Sequence, residues 1–175
     1  IRESSLVEHR ERFGLVLQDV AVLSRTLGEN IRFDRDIQRS KILEALEQVN
    51  GQDIIARQSQ GLDEPMMERG RTLSSGERQL VSFARALAGN PEILVLDEAT
   101  SHVDTATETR IQAAIDKMVE GRTSVIVAHR LSTVRKADRI LVLHHGQLRE
   151  SGTHDELVSQ DGIYAKLVKL QFQSR

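Results

Sequence analysis

The run Ile93-Leu94-Val95-Leu96-Asp97-Glu98 ends an apolar stretch in two adjacent carboxylates. A continuous apolar run of this length reads as a strand buried in a parallel sheet. Its C-terminal end is then the edge at which open α/β folds bind ligands. One carboxylate there can hold a hydrated Mg2+ beside a phosphate while its neighbour orients an attacking water. The same residues equally suit an acidic loop that caps the next helix, and the hexapeptide alone leaves both readings open. Leu73-Ser74-Ser75-Gly76-Glu77 sets hydroxyls and backbone N–H groups at a helix start, where the dipole favours anions. Gly76 there would let an anion approach the backbone closely. Ser74-x-x-Glu77 is also a capping box, and taken alone that structural role is the better account. Gln18 follows a short apolar strand, where its amide could bind a metal-held water. His129 follows Thr123 to Ala128, and a neutral imidazole at that edge could hydrogen-bond a terminal phosphate and the attacking water. Taken singly, a glutamine or histidine at a strand end is more often plain surface. His9, His102, His144, His145 and His154 show no metal-ligand spacing.

The elements that must position these residues follow from periodicity. Phe13 to Leu17 reads as a strand leading to Gln18, and the pattern from there to about residue 89 is helical. The stretch Ser40 to Val49 predicts a helix with Ile42, Leu43, Leu46 and Val49 on one face, stopped by Asn50-Gly51. Residues 51–72 read as loop with a short helix. A helix starting at Ser74 carries Leu80, Phe83, Ala84 and Leu87 as its buried stripe and ends at Gly89-Asn90-Pro91. The rhythm then becomes strand, helix, strand: 92–96 buried on both faces, 105–119 with Ile111, Ala114, Ile115 and Met118 inward, and 123–128 as a second buried strand. Residues 139–143 and 147–150 predict a hairpin turning at His145-Gly146. Thr153-x-x-Glu156 is a further capping box, opening one C-terminal helix with Leu157, Val158, Tyr164, Leu167 and Leu170 as its apolar points. The alternation argues an α/β fold with a helical insertion.

Composition narrows the field. The chain has 175 residues, enough for one domain with a core and too few for two full ones. Its 24 Lys and Arg against 26 Asp and Glu give a net charge of −2, and it has four Phe, one Tyr and no Trp. Such a chain lacks the basic field and stacking surfaces that nucleic-acid binding uses. The absence of cysteine excludes disulfides, thiolate metal sites and a cysteine nucleophile. No apolar run approaches the roughly 18 residues of a membrane span, and there is no basic-then-apolar secretory pattern at the N-terminus. Ile1 in place of Met points to a natural chain that begins earlier.

The order Gln18, Leu73 to Glu77, Asp97-Glu98, Ser101-His102-Val103-Asp104 and His129 resembles the ATP-binding cassette domain of ABC transporters, over essentially the whole chain. In the terms of that family Gln18 looks like the Q-loop glutamine and Leu73 to Glu77 like the signature motif. Leu94 to Asp97 with Glu98 resemble the Walker B strand and catalytic glutamate, Ser101 to Asp104 the D-loop, and His129 the switch histidine. Glu68-Arg69-Gly70 and Thr26 to Ile31 resemble exporter-type cassettes. The resemblance implies an α/β fold: a P-loop NTPase (RecA-like) parallel sheet core, incomplete at the N-terminus, with an inserted α-helical subdomain. Residues 1–18 would be the core strand up to the Q-loop, 19–88 the helical subdomain with the signature and its helix, 89–152 the RecA-like core, and 153–175 a C-terminal helix. It implies an ATPase powering export, with ATP and Mg2+ as cofactors. Glu98, His129 and Gln18 would be catalytic, Asp97 and Gln18 would hold the metal, and Ser74, Ser75, Gly76, Glu77 and Asp104 would contact nucleotide. The implied partners are a second cassette, identical or not, bound head to tail, and the coupling helices of a transmembrane domain, with no nucleic acid. The implied location is the cytoplasmic face of the cell membrane.

Departures from the family pattern carry information of their own. The most frequent signature has Gly and Gln where this chain has Ser75 and Glu77, which add a side chain and a negative charge beside an anion site. Because the signature acts on nucleotide bound mainly by the partner, the consequence falls on the partner's site. His102 stands where Ala is more usual. The sequence has no Gly-x-x-x-x-Gly-Lys-[Ser/Thr] P-loop, which in the family lies ahead of the position of Ile1. The expectation is therefore the C-terminal part of an exporter's nucleotide-binding domain, inactive alone and exposing apolar surface where the missing strands would pack. Two rivals remain. A chromosome-maintenance or repair ATPase of the same superfamily usually has a coiled coil between Q-loop and signature, yet Leu73 follows Gln18 by only 55 residues, without sustained heptads. A non-hydrolysing cassette of a heterodimer is opposed by Glu98 and His129, while Ser75 and Glu77 leave room for it.

Overall fold

The computed structural model describes all residues except 1–4, 19, 68, 69, 71, 98–103, 129, 130, 174 and 175. The chain divides into two units, Ile1–Val127 and Ala128–Arg175. In the first, helix α1 (Leu6–Glu11) precedes strand β1 (Phe13–Val16). Helices α2 (Leu27–Arg32), α3 (Arg39–Gln48) and α4 (Gln52–Ala56), a 3-10 turn (Gly61–Asp63) and helix α5 (Ser75–Leu87) form the helical insertion. Strand β2 (Ile93–Asp97), helix α6 (Thr105–Val119) and strand β3 (Thr123–Val127) complete the unit. Capping boxes at Ser5/Glu8, Thr26/Glu29 and Ser74/Glu77 start α1, α2 and α5, each satisfying two N–H groups that a helix start leaves bare.

The strands form one parallel sheet in the order β1-β2-β3, with Val16 level with Leu96 and Asp97 level with Val127. Helix α5 packs against β1, α2, α3 and α6. Its buried residues include Leu80, Phe83, Ala84 and Leu87, as its periodicity requires. Ile111, Ala114, Ile115 and Met118 of α6 are buried likewise. The expected α/β architecture with a helical insertion is present.

Three local expectations need correction. Leu43 is exposed; the buried stripe of α3 and its cap is Ile42, Ala45, Leu46 and Val49. That is the i, i+3, i+4, i+7 spacing of one helix face, and Leu43 is turned away from it. The strands are not buried on both faces: Gly14, Val16, Leu94 and Leu96 are buried on one side. The alternate residues Phe13, Leu15, Val125 and Val127 are each about half exposed or more, at 46%, 54%, 54% and 53%. Parallel sheets are ordinarily covered on both faces, and this face carries no covering element among the described residues of the unit.

The second unit holds helix α7 (Leu131–Val134), strands β4 (Ile140–His144) and β5 (Gln147–Gly152), and helices α8 (His154–Ser159) and α9 (Ile163–Gln173). β4 and β5 pair as the expected antiparallel hairpin. Its turn places His145 at φ 51° and Gly146 at φ 72°, the pair of left-handed residues that matches strand twist. The single C-terminal helix expected after Thr153 is two helices, the third correction. Asp161 takes a left-handed φ of 49°, and Glu150 of β5 then caps the start of α9, its Oε1 and Oε2 accepting from the N–H groups of Ile163 (2.5 Å) and Tyr164 (3.0 Å). Val158, Leu167 and Leu170 are exposed, and Leu157 and Tyr164 join Ile140 and Val142 in the core.

Candidate functional site

Asp97 is the last residue of β2, the central strand of the sheet, and is partly exposed. Parallel pairing sends β1 out at the same edge, and exposed Gln18 follows it two residues later. This is the strand-end crevice where α/β folds bind ligands. Among the described residues no three His, Asp or Glu side chains converge on one point. A divalent cation at Asp97 would therefore draw its other ligands from an amide such as Gln18, water and phosphate oxygens, a set that suits Mg2+. Glu98, Ser101 to Val103 and His129 lie outside the described residues.

The second group stands at the start of α5. Ser74 is the N-cap: its Oγ accepts from the Glu77 N–H at 3.2 Å, and its own N–H donates to Glu77 Oε2 at 2.8 Å. Among the described residues the N–H groups of Ser75 and Gly76 have no acceptor. These two N–H groups and two serine hydroxyls, at the positive end of a 13-residue helix, can hydrogen-bond an anion. The side chain of Ser75 is exposed, so it does not fill the helix interior. The other carboxylate oxygen of Glu77, Oε1, takes a hydrogen bond from Arg57 Nη2, at the C-cap of α4. Burial pushes the Glu77 carboxyl up, but the Arg57 and Ser74 hydrogen bonds outweigh it and hold the group below its ordinary value.

Asp104 is tied to the same place. It is the N-cap of α6, with Oδ2 accepting from Thr107 Oγ1 at 2.6 Å and Oδ1 from the Thr107 N–H at 3.0 Å. These bonds hold its carboxyl below the usual carboxylate range. The methyl of Thr107 lies where a Cβ on Gly76 would sit. Gly76 is therefore glycine because α6 comes so close there, and the contact fixes Asp104 beside the start of α5.

Sequence reasoning met Asn30 only as part of the run Thr26 to Ile31 and did not single out Arg85, yet these two hold the segment after Gln18. Buried Asn30 accepts from the Leu23 N–H at 2.8 Å and donates to the carbonyls of Leu23 (2.9 Å), Thr26 (3.1 Å) and Arg25 (3.3 Å). Arg85, near the far end of α5, donates to the carbonyls of Asn30 (2.8 Å) and Ala21 (2.9 Å) and stacks over Phe33. Burial presses its pKa down, as it does that of neighbouring Arg35. Arg57 and Arg85 meet partners 20 and 64 residues away, beyond any local pattern. The cap at Asp104 could have been read from its position just before the helix it starts.

The family model for ABC transporters matches residues 1–101. A probable multidrug resistance ABC transporter ATP-binding/permease protein of Bacillus subtilis is 48% identical over 98% of the chain. A beta-(1-->2)glucan export ATP-binding/permease protein of Rhodopseudomonas palustris is 46% identical over 93% of it, and an ATP-dependent lipid A-core flippase of Burkholderia orbicola 42% over 95%. The chain spans 26%, 27% and 28% of the length of these three relatives. The solved structure of a bacterial Atm1-family ABC exporter with ATP bound superposes with a TM-score of 0.83 at 42% identity, over 94% of this chain and 29% of that one. Motif order, fold and relatives agree: the chain belongs to the ABC transporter family, and its fold is that of an exporter's nucleotide-binding domain.

Proposed function

We propose that this chain is the C-terminal part of a nucleotide-binding domain in which ATP binding and hydrolysis drive export of a substrate across a membrane. The observation that best supports this reading is Asp97, a partly exposed carboxylate at the C-terminal end of the central parallel strand, at the edge that Gln18 also approaches. Residues 1–18 and 89–152 act as the core, 19–88 as the helical subdomain that receives coupling helices of a membrane domain, and 153–175 as the C-terminal extension. The cassette would work at the cytoplasmic face of a membrane.

Asp97 and Gln18 hold Mg2+, which when bound neutralises charge on the phosphates. Glu98 orients the attacking water, and His129 hydrogen-bonds that water and the terminal phosphate. Ser74, Ser75, Gly76, Glu77 and Asp104 close over nucleotide held mainly by a second cassette bound head to tail. Phosphoryl transfer depends chiefly on positioning and electrostatics, and this sequence contains no P-loop to cradle the phosphates. The 175 residues alone therefore turn over no measurable ATP. The open apolar face of the sheet fits a surface that other parts of a longer domain would cover.

The test compares the full-length transporter, its Glu98→Gln variant and the 175-residue chain in an ATPase assay. Turnover is expected in the first, a loss of about 100-fold or more in the second, and none in the third. Full-length protein that neither binds nor hydrolyses ATP would refute the reading. Steady turnover by the short chain, lost on Glu98→Gln, would refute the argument from the missing P-loop.

A further inference from the structure

Glu77 places a carboxylate at the start of the helix proposed to face a phosphate. Its capping role does not require the charge, since a glutamine carbonyl oxygen would accept equally from the Ser74 N–H. The side chain is only 12% exposed, so water screens its charge poorly. The structure supplies a partner from outside the motif. Arg57 donates from Nη2 to Glu77 Oε1, and from Nε to the Asp53 carbonyl at 3.1 Å. Its Nη2 also lies 3.5 Å from Asp53 Oδ2. Asp53 in turn is bound by Arg110 of α6, which also donates to the Asn50 carbonyl at 2.6 Å. The result is an alternating chain of four charges, Glu77, Arg57, Asp53 and Arg110, linking α5, α4 and α6 with no net charge.

Resting on the nucleotide-binding reading, we infer that Arg57 is a positioning residue that neutralises Glu77, so that this acidic signature can accept a phosphate. Removing the Arg57 charge leaves the four-residue chain one unit negative beside the anion. Removing the Glu77 charge leaves it one unit positive. One unit charge about 7 Å from a singly charged anion, at an effective dielectric of about 35, changes binding about tenfold. Glu77 and Arg57 are thus a matched pair, and each substitution has a sign set by the other.

The test is the KM for ATP of the full-length transporter, with thermal melting of each variant. Arg57→Met should raise KM about tenfold and Glu77→Gln should lower it severalfold. The double variant, neutral again, should return to within about twofold of wild type. Arg57→Lys, which keeps the charge, should recover most of the Arg57→Met loss even where melting temperatures fall. Equal damage by Arg57→Met in both backgrounds, no change in KM, or an Arg57→Lys variant as impaired as Arg57→Met would overturn the pairing. Wild-type protein that does not bind ATP would overturn the nucleotide reading as well; an active wild type without rescue overturns the pairing alone.

Discussion

Gly76→Ala should destabilise the domain, against the ordinary helix rule, and the sign should reverse when one methyl is removed from a neighbouring helix. In an unobstructed helix, alanine in place of glycine gains about 1 kcal/mol. At this position the new Cβ collides with Thr107 Cγ2, while its next neighbours, Thr107 Cβ at 3.6 Å and Ile111 Cδ1 at 3.9 Å, are at ordinary contact distance. Thr107 cannot turn its methyl aside freely, because its hydroxyl is held 2.6 Å from Asp104 Oδ2. Overpacking of this kind costs about 1–3 kcal/mol; with the clash resting on one constrained methyl, the upper half of that range applies. The net expectation is a loss of about 1–2 kcal/mol, or roughly 3–6 °C in Tm. Thr107→Ser deletes Cγ2 and keeps the hydroxyl bond to Asp104. In that background Gly76→Ala should stabilise by about 1 kcal/mol. Thermal melting of the domain carrying the four combinations decides the matter. The same sign in both backgrounds would refute the packing argument, whichever sign it is.

Three further outcomes are expected. Asn30→Ala leaves the Leu23 N–H without its acceptor, while the carbonyls of Leu23, Arg25 and Thr26 each keep a backbone N–H, and should cost about 2 kcal/mol; a melting shift under about 2 °C would show that the loop does not depend on it. The Glu77 carboxyl is held below its ordinary value of 4.5, so its contribution is present above that pH and is lost as pH falls through the lowered value. The Tm difference between wild type and Glu77→Gln should accordingly shrink on acidification below about pH 4.5, and a constant difference down to pH 2.5 would count against it. Leu15→Thr with Val125→Thr, on the open sheet face, should delay aggregation of the 175-residue chain in light scattering at little cost in melting temperature; unchanged aggregation would move the sticky surface elsewhere.

What the sequence made legible was local. Ser74-x-x-Glu77 and Thr153-x-x-Glu156 became caps where the spacing requires them, and His145-Gly146 became the hairpin turn. The four inward residues of α6 followed from a 3.6-residue period. The errors arose where burial depends on a distant neighbour. An apolar run such as Ile93 to Leu96 reports that a strand can be buried, not that both of its faces are, and Val125 and Val127 stay half exposed, with no covering layer among the described residues of their unit. The break between α8 and α9 escaped periodicity because it is held by Glu150, a strand residue 13 positions before Ile163. The candidate site divides the same way: Asp97, Gln18 and Ser74 could be read from their places at element ends, whereas Arg57 and Arg85 act only through contacts that folding creates.

Those long-range arginines give α5 its importance. At one end of the helix Arg57 meets Glu77 and Thr107 crowds Gly76. At the other, Arg85 grips the carbonyls of Ala21 and Asn30, and Asn30 clamps residues 23–26. Among the described residues this guanidinium is held by carbonyls and by the Phe33 ring, not by a carboxylate, so a shift of about 1 Å between α5 and the segment after Gln18 would stretch those bonds beyond hydrogen-bonding distance. The helix that begins with the candidate phosphate-facing residues is thereby fastened to the loop that follows the candidate metal ligand. Any rearrangement that moves one of them must carry the other or break that set of bonds.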